Sequence, residues 1–379
     1  MWDVNRTGGV RVLFELANRL NKRGHNVTIT TLGTPGLHNW FPLEISEVIY
    51  AEQKIYRTNG KSASSIIKNA FEIVPDKFLQ PFGVIRDGLR SQAVQLLADS
   101  IPKNADINVA TLCFSAFSVN KSKVGIPFYY LQHYEPILFD DSYTKHWIDK
   151  TYSLPLKKIA NSSWLKTLIK ERFGLNCYGP IIPGIDHQIF HRQDVAKCDS
   201  EIRIVALGKS LKWKGLADLF EALIIARNEI PNIKLILYGS EPYLKNNSPV
   251  PCEYRANISD VELADLYSTA DVVVTPSWYE SSPLPPLEAM ACGAPVITTK
   301  YGTEDYCFNE KNCLVVSPRN PQALGQAIVA LLKNEKIREN FRREGPATAK
   351  KFTWEKATDD VEKLFQEATK NVDINGMVC

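Results

Sequence analysis

The stretch Asp271-Val-Val-Val-Thr-Pro276, with Glu280-Ser-Ser-Pro-Leu-Pro-Pro-Leu-Glu288-Ala-Met-Ala-Cys-Gly-Ala-Pro295 just beyond it, decides the fold and most of the chemistry. Its apolar opening reads as a buried parallel strand. Pro285-Pro286 can open a helix, because proline lacks only an amide that would be orphaned at a helix start. Glu280 is then expected on the connecting loop and Glu288 in the first turn of the helix. A strand, a tight loop and a helix N-terminus bind phosphate well, since unpaired amides and the positive end of the helix dipole converge there. With carboxylates on either side to take hydroxyl groups, the run fits a sugar nucleotide: diphosphate at the helix end, ribose on one carboxylate, the transferred sugar on the other. The same residues also read as an acidic surface loop beside a core helix.

Composition agrees with an enzyme of this kind and closes other classes. The 379 residues suffice for two domains, each with its own core. Forty-five Lys and Arg against 42 Asp and Glu leave a net charge of +3, far from the basic excess of a nucleic-acid-coating protein. No run approaches the roughly eighteen apolar residues of a membrane span, and no signal-peptide core is read at the N-terminus. The eight cysteines include no Cys-x-x-Cys pair and no His/Cys cluster at zinc spacing. Cys113 and Cys292 lie in apolar surroundings as plain buried thiols, which points to a reducing cytoplasm.

Short apolar runs alternate with helix-period segments along the chain, the pattern of parallel sheets with crossover helices. Val27-Thr-Ile-Thr, Ile107-Asn-Val-Ala-Thr, Phe128-Tyr-Tyr-Leu and Lys158-Ile-Ala read as strands of a first half. Arg203-Ile-Val-Ala-Leu, Lys234-Leu-Ile-Leu-Tyr, Asp271-Val-Val-Val and Val296-Ile-Thr read as strands of a second. Pro183-Gly184, within Ile181-Ile-Pro-Gly-Ile-Asp186, can break the backbone and let two domains hinge, and the boundary is placed near Asn176. Beyond about residue 320 only helical pattern remains. The region from Glu52 to Lys103 reads as helical.

Gly8-Gly9 precedes an amphipathic helix with Val10, Leu13, Phe14, Ala17 and Leu20 on one face, leading through Gly24-His25 to the strand at Val27. A glycine turn that opens a helix is normally aimed by a preceding strand. Only Met1-Trp-Asp-Val-Asn-Arg-Thr stands before this one, so the first strand is expected to be missing or shortened, by truncation or by an unnatural start at Met1. A second turn, Leu207-Gly208-Lys209-Ser-Leu-Lys212-Trp-Lys214-Gly215, follows a strand and starts a helix at Leu216. Lys209 and Lys214 there can close on an anionic diphosphate, or be a solvated basic turn. The C-terminal end of a parallel strand, where open α/β sheets bind ligands, favours the former.

Together, Glu280 through Gly293, Gly208 to Gly215, the Gly8-Gly9 turn and Ile182-Pro-Gly-Ile-Asp186 resemble glycosyltransferase family 4, in matching order over nearly the whole chain. The resemblance implies the α/β GT-B fold, two Rossmann-like doubly wound domains with a cleft between them. Residues 1–175 would bind the acceptor, residues 176–352 the nucleotide sugar, and a C-terminal helix over 353–379 would pack back on the first domain. It implies a retaining, hexosyl- or deoxyhexosyl-type enzyme that moves a sugar from a nucleoside-diphosphate sugar to a glycan, lipid-linked or small-molecule acceptor in polysaccharide or glycoconjugate biosynthesis. The partners are that donor and acceptor, not nucleic acid. The expected location is the cytoplasm, with peripheral contact at the inner face of the membrane allowed.

In that family the first glutamate meets donor-sugar hydroxyls and the second holds the ribose, which assigns these roles to Glu280 and Glu288. An arginine and a lysine normally clamp the diphosphate. The matching residues are Lys209 and Lys214, and lysine at the arginine position keeps the charge but loses the bidentate fork. Loop amides also bind phosphate; with proline at 283, 285 and 286 the donors left are Ser281, Ser282, Leu284 and Leu287, with Leu284 the best placed. Gly8 and Gly9 would approach the donor from the first domain. His133, in Tyr130-Leu-Gln-His133-Tyr-Glu135-Pro, follows a strand at a place where the family often has a histidine near the donor sugar; otherwise it is an ordinary loop histidine. Glu135, just before proline, fits a turn cap. Trp213, beside the lysines, reads as cover for apolar surface or as lining of the cleft, the former preferred.

His133, Glu280 and Lys214 are thus the catalytic candidates. The implied transition state is oxocarbenium-like with negative charge growing on the leaving phosphate, where Lys209, Lys214 and the helix dipole act most. No Asp-x-Asp run is positioned for a metal, so no metal or other cofactor is required. A sugar-nucleotide epimerase or a phosphorylase of the same architecture, or a catalytically inactive sugar-nucleotide-binding scaffold, are the alternatives.

Overall fold

A computed structural model describes residues 7–33, 35–36, 39–51, 79–195 and 201–376. The chain divides into two compact units, one of residues 1–161, 165–181 and 357–379, the other of 162–164 and 182–356. The main division therefore falls after Ile181, a few residues beyond Asn176 and at the head of the Pro183-Gly184 run.

In the first unit, α1 (Gly8–Lys22) starts at Thr7, whose extended backbone and side-chain oxygen cap the amide of Val10. Val10, Phe14 and Ala17 are buried as the periodicity predicts. Val12 and Leu16 are buried too, while Leu13 and Leu20 are half-buried, so the apolar stripe is wider than a single face. Phe14 packs on Trp40 and Phe41, with ring centroids 5.8 and 5.4 Å away. Strand β1 (Thr28–Thr31) pairs in parallel with β2 (Glu47–Tyr50). Helix α2 (Leu79–Ser100) agrees with the helical reading there, of which residues 52–78 lie outside those described. Then β3 (Ile107–Ala110), α3 (Cys113–Ser122), β4 (Ile126–Leu131), α4 (Ser142–Tyr152), β5 (Lys157–Ala160) and α5 (Ser163–Phe173) alternate, and the three strands form a parallel sheet in the order β3-β4-β5. The residues ahead of the glycines, where the first strand is expected to be missing or shortened, lie outside the described residues up to Arg6.

The second unit is built on β6 (Ile202–Gly208), α6 (Leu216–Arg227), β7 (Ile233–Gly239), β8 (Cys252–Ala256), α7 (Asp260–Ser268), β9 (Val272–Thr275), α8 (Leu284–Ala291), β10 (Val296–Thr299), β11 (Leu314–Val316), α9 (Pro321–Lys333) and α10 (Glu335–Ala349). Its six strands are all parallel in the order β11-β10-β9-β6-β7-β8. This is the doubly wound order, and its direction reverses between β6 and β9. Successive strand residues feed opposite layers: Ile204, Leu235 and Val272 pack with Leu219, Leu223 and Ile328, while Val205, Ile236 and Val273 pack with Leu287 and Met290. Central strands buried on both faces read as apolar runs. The edge strands do not: Cys252-Glu-Tyr-Arg-Ala is half-buried and mixed, and β11 has three half-buried residues, which is why neither is expected from sequence.

Helix α11 (Trp354–Gly376) begins in the second unit with a buried Trp354 and from Ala357 belongs to the first. There Phe365 meets Phe128 at 5.0 Å, and Glu362 takes Arg23 at 2.6 Å and His25 at 2.7 Å. Among the described residues no helix is long and apolar enough to cross a membrane.

Candidate functional site

The reversal of strand order between β6 and β9 opens a crevice at their C-terminal ends, and the loops leaving these two strands carry most of the predicted residues. The β6 loop turns through Lys212–Lys214 in a single 3-10 turn and reaches Gly215 at φ 71°. A side chain at Gly215 could not fit, since its Cβ would stand 2.1 Å from the carbonyl oxygen of Pro276. The amide of Trp278 also donates to the carbonyl of Trp213 at 2.8 Å. The two loops are therefore locked together through their backbones.

That lock brings Lys214 to Glu280, Nζ to Oε1 at 2.5 Å, with both side chains largely buried. The ammonium also lies 4.3 Å from the Trp213 ring centroid, and Trp213 stacks on Tyr279 at 5.6 Å with 14° between planes. Trp213 therefore lies beside the Lys214–Glu280 pair. Lys209 points elsewhere. Its Nζ is 2.8 Å from Ser240 Oγ and 3.1 Å from Glu241 Oε1, both on the loop after β7. Desolvation pushes the Glu241 carboxyl up, but hydrogen bonds from Ser210, Lys209 and Tyr243 outweigh it and hold the group at about 2. Each lysine thus has its own carboxylate, Lys214 with Glu280 and Lys209 with Glu241.

Helix α8 starts at Leu284, with Pro283 at the cap position and no side-chain cap. As the first helical residue Leu284 has no intrahelical acceptor for its amide, and Pro285 and Pro286 have no amides. One other expected donor is engaged. The Ser282 amide donates to the Gly302 carbonyl at 2.9 Å, and Ser281 Oγ lies 2.9 Å from Ser162 Oγ with both residues buried. Glu288 falls in the second turn, not the first, because the helix begins at Leu284 ahead of the two prolines. It is buried, and its charge adds to the burial that lifts Cys292 to about 12 and raises the phenols of Tyr238 and Tyr267, which bond each other at 2.7 Å.

In the first unit, His133 follows β4, with Nδ1 3.2 Å from the carbonyl of Tyr134. A carbonyl only accepts, so this contact assigns a proton to Nδ1. Gly8 and Gly9 open α1, and a Cβ on Gly9 would lie 3.2 Å from Gln132 Oε1. The glycine turn and the His133 segment are thereby neighbours. Gln132, which sequence reading passed over, has a buried Oε1 without a hydrogen-bond partner. Glu135 is buried and accepts from the amide of Cys113 at 2.9 Å and from the hydroxyl of Tyr129 at 3.0 Å. It caps the start of α3 rather than its own turn.

Residues 187–348, all within the second unit, match the family described as glycosyl transferases group 1. An uncharacterized glycosyltransferase of Methanocaldococcus jannaschii is 31% identical over 167 residues, 42% of this chain and 47% of that protein. The chain spans about half or less of the length of the curated relatives it matches. Two solved structures align over nearly everything: sucrose-phosphate synthase from Thermosynechococcus elongatus (TM-score 0.73, 18% identity, 96% of this chain and 94% of that one) and Anabaena HepE in complex with UDP and glucose (TM-score 0.69, 15% identity, 97% and 98%). Likeness at such identity establishes the fold, which is GT-B.

Proposed function

We propose that the protein is a retaining glycosyltransferase of family 4 that moves a sugar from a nucleoside-diphosphate sugar to a hydroxyl of a glycan, lipid-linked or small-molecule acceptor. One observation carries this reading: Lys214 and Glu280, 66 positions apart, meet at 2.5 Å at the switch point of a parallel sheet, beside an uncapped helix start. That is a donor site in the making, with a cation, an anion-binding helix end and a hydroxyl-binding carboxylate in one place.

In this reading the β-phosphate lies against the Leu284 amide and Lys214, and Lys209 adds charge from the edge. Glu288 takes the ribose hydroxyls and Glu280 those of the donor sugar. The bond from the anomeric carbon to the phosphate oxygen breaks, the acceptor oxygen bonds to that carbon on the same face, and the acceptor's hydroxyl proton passes to the departing diphosphate. The charge left on the diphosphate is met by Lys214 and the helix end, in a site already arranged for it. Gly8, Gly9 and His133 are the first unit's candidates for contact with the sugar nucleotide. No metal or cofactor is needed for this charge balance. The UDP bound by Anabaena HepE makes UDP-sugars the first donors to try. A cytoplasmic enzyme with peripheral membrane contact suits a lipid-linked acceptor, and polysaccharide or glycoconjugate synthesis is the setting.

The test is incubation with UDP-, GDP- and dTDP-sugars and a panel of acceptors. The expected product is a glycoside with the donor's anomeric configuration. An isomerised sugar would mean an epimerase, and binding without turnover a scaffold; either overturns the proposal.

A further inference from the structure

Glu280 is gripped from behind by residues that no role in donor binding touches. Its amide donates to the Tyr301 carbonyl at 3.2 Å, and the Ser282 amide to the Gly302 carbonyl at 2.9 Å, so the loop carrying Glu280 is bound along its backbone to residues 301 and 302. Gly302 has φ 81°, and a Cβ there would stand 2.1 Å from the Glu280 carbonyl oxygen and 2.4 Å from its carbon. No side chain fits at this position unless the Glu280 backbone moves. The gripping loop is itself fixed. The Gly302 amide donates to the Glu304 carboxylate at 2.7 Å, and Thr303 Oγ1 donates to the Thr299 carbonyl, at the end of β10, at 2.6 Å. Asp305 accepts from both the amide (2.8 Å) and the hydroxyl (2.5 Å) of Ser163, whose neighbour Ser162 meets Ser281.

We infer that Gly302 is the positioning residue of Glu280: by carrying no side chain it lets the carbonyls of residues 301 and 302 hold the Glu280 backbone where its carboxylate reaches Lys214. Asp305 supports it by fixing the same loop. The inference rests on the donor-site reading above and adds a residue that acts only through Glu280. A purely structural glycine would affect folding and nucleotide binding alike. A positioning glycine affects the step that uses Glu280 and spares the nucleotide, which Glu288 and the start of α8 hold.

The experiment compares Gly302→Ala and Asp305→Asn with the unaltered full chain. Binding of UDP, GDP and dTDP is measured by calorimetry, turnover with whichever nucleotide sugar the unaltered protein uses, and the Gly302→Ala structure by crystallography. Gly302→Ala is expected to leave the nucleotide Kd within about threefold and to lower kcat by at least roughly tenfold, since displacements of about 1 Å cost up to about a hundredfold. Its crystal structure should show the Glu280 carboxylate drawn away from Lys214. Asp305→Asn, which introduces no clash, should show the same split at about threefold in kcat. Loss of binding and turnover in equal proportion, unchanged turnover, or an unmoved Glu280 would overturn the inference. Should the unaltered protein turn over no nucleotide sugar, the activity reading fails, and the place of Glu280 in the variant decides the positioning on its own. Should Gly302→Ala not fold, the split in Asp305→Asn decides it.

Discussion

Glu135 in the first unit and Glu280 in the second begin alike: each is an acid on the loop just beyond a parallel strand, close to a candidate catalytic side chain. Their partners part them. Glu135, 4% exposed, is committed to the first amide of α3 and to the Tyr129 hydroxyl, neither of which can leave without opening the fold. Glu280, with 13% of its side chain exposed, is paired with an ammonium on a flexible stem that can turn to another anion. An acid bound to backbone holds structure together, whereas one bound to a movable cation can exchange that partner for a ligand. Sequence position alone does not separate the two.

The comparison breaks most sharply at Lys214. Lys214→Ala should raise the barrier to transfer by about 2 to 4 kcal/mol, the scale for losing a principal charge stabiliser. Steady-state kinetics with the best nucleotide sugar measures it, and unchanged turnover would take Lys214 out of the site. Glu135→Ala should instead cost about 1 to 3 kcal/mol of stability by leaving buried donors unpaired, read as a lower denaturation midpoint.

The pH dependence sharpens the contrast. Burial raises the Glu135 carboxyl above its ordinary value, outweighing its hydrogen bonds from Cys113 and Tyr129. The folded state therefore holds this proton more tightly than the unfolded chain. Its contribution to stability is fully present below the unfolded value and is lost as pH rises through the folded one. Glu135→Gln should flatten that part of the stability curve; a slope identical to the parent's would assign the titration to another group. On the ligand side, Glu288→Gln should weaken nucleoside diphosphate binding by about 1 to 3 kcal/mol in calorimetry, while Glu280→Gln leaves it nearly intact. Equal losses would exchange or dissolve the two roles. The smallest effect is expected at Lys209→Arg. With the Lys209 ammonium already on Glu241, the change should shift activity by no more than about 0.5 kcal/mol in either direction, and a larger shift would put Lys209 on the diphosphate directly.

Much of this was legible in the residues. The central strands β6, β7 and β9 carry uninterrupted apolar stretches (Ile204 to Leu207, Leu235 to Leu237, Val272 to Val274) and β10 is buried throughout, and such runs are read without context. The edge strands β2, β8 and β11 are not, since half-buried positions carry mixed side chains. In the site, Glu280, Glu288 and the prolines before α8 announce themselves by spacing along one short segment. The engaged Ser282 amide, the Ser281 hydroxyl turned to Ser162 and the pairing of Lys209 with Glu241 do not, because each partner is 20 or more positions away.

By itself, then, the sequence determined the alternation of parallel strands and crossover helices, the helix that Gly8-Gly9 opens, and the segment from Glu280 to Glu288 as a carboxylate-flanked helix start. These follow from local periodicity and from what glycine and proline permit in the backbone. Only the tertiary structure decided which carboxylate meets which lysine, that Glu135 caps α3, and that Gly302 stands behind Glu280. Those are contacts between residues far apart in the chain, fixed by strand order and by the close approach of two loops, and no local pattern encodes them.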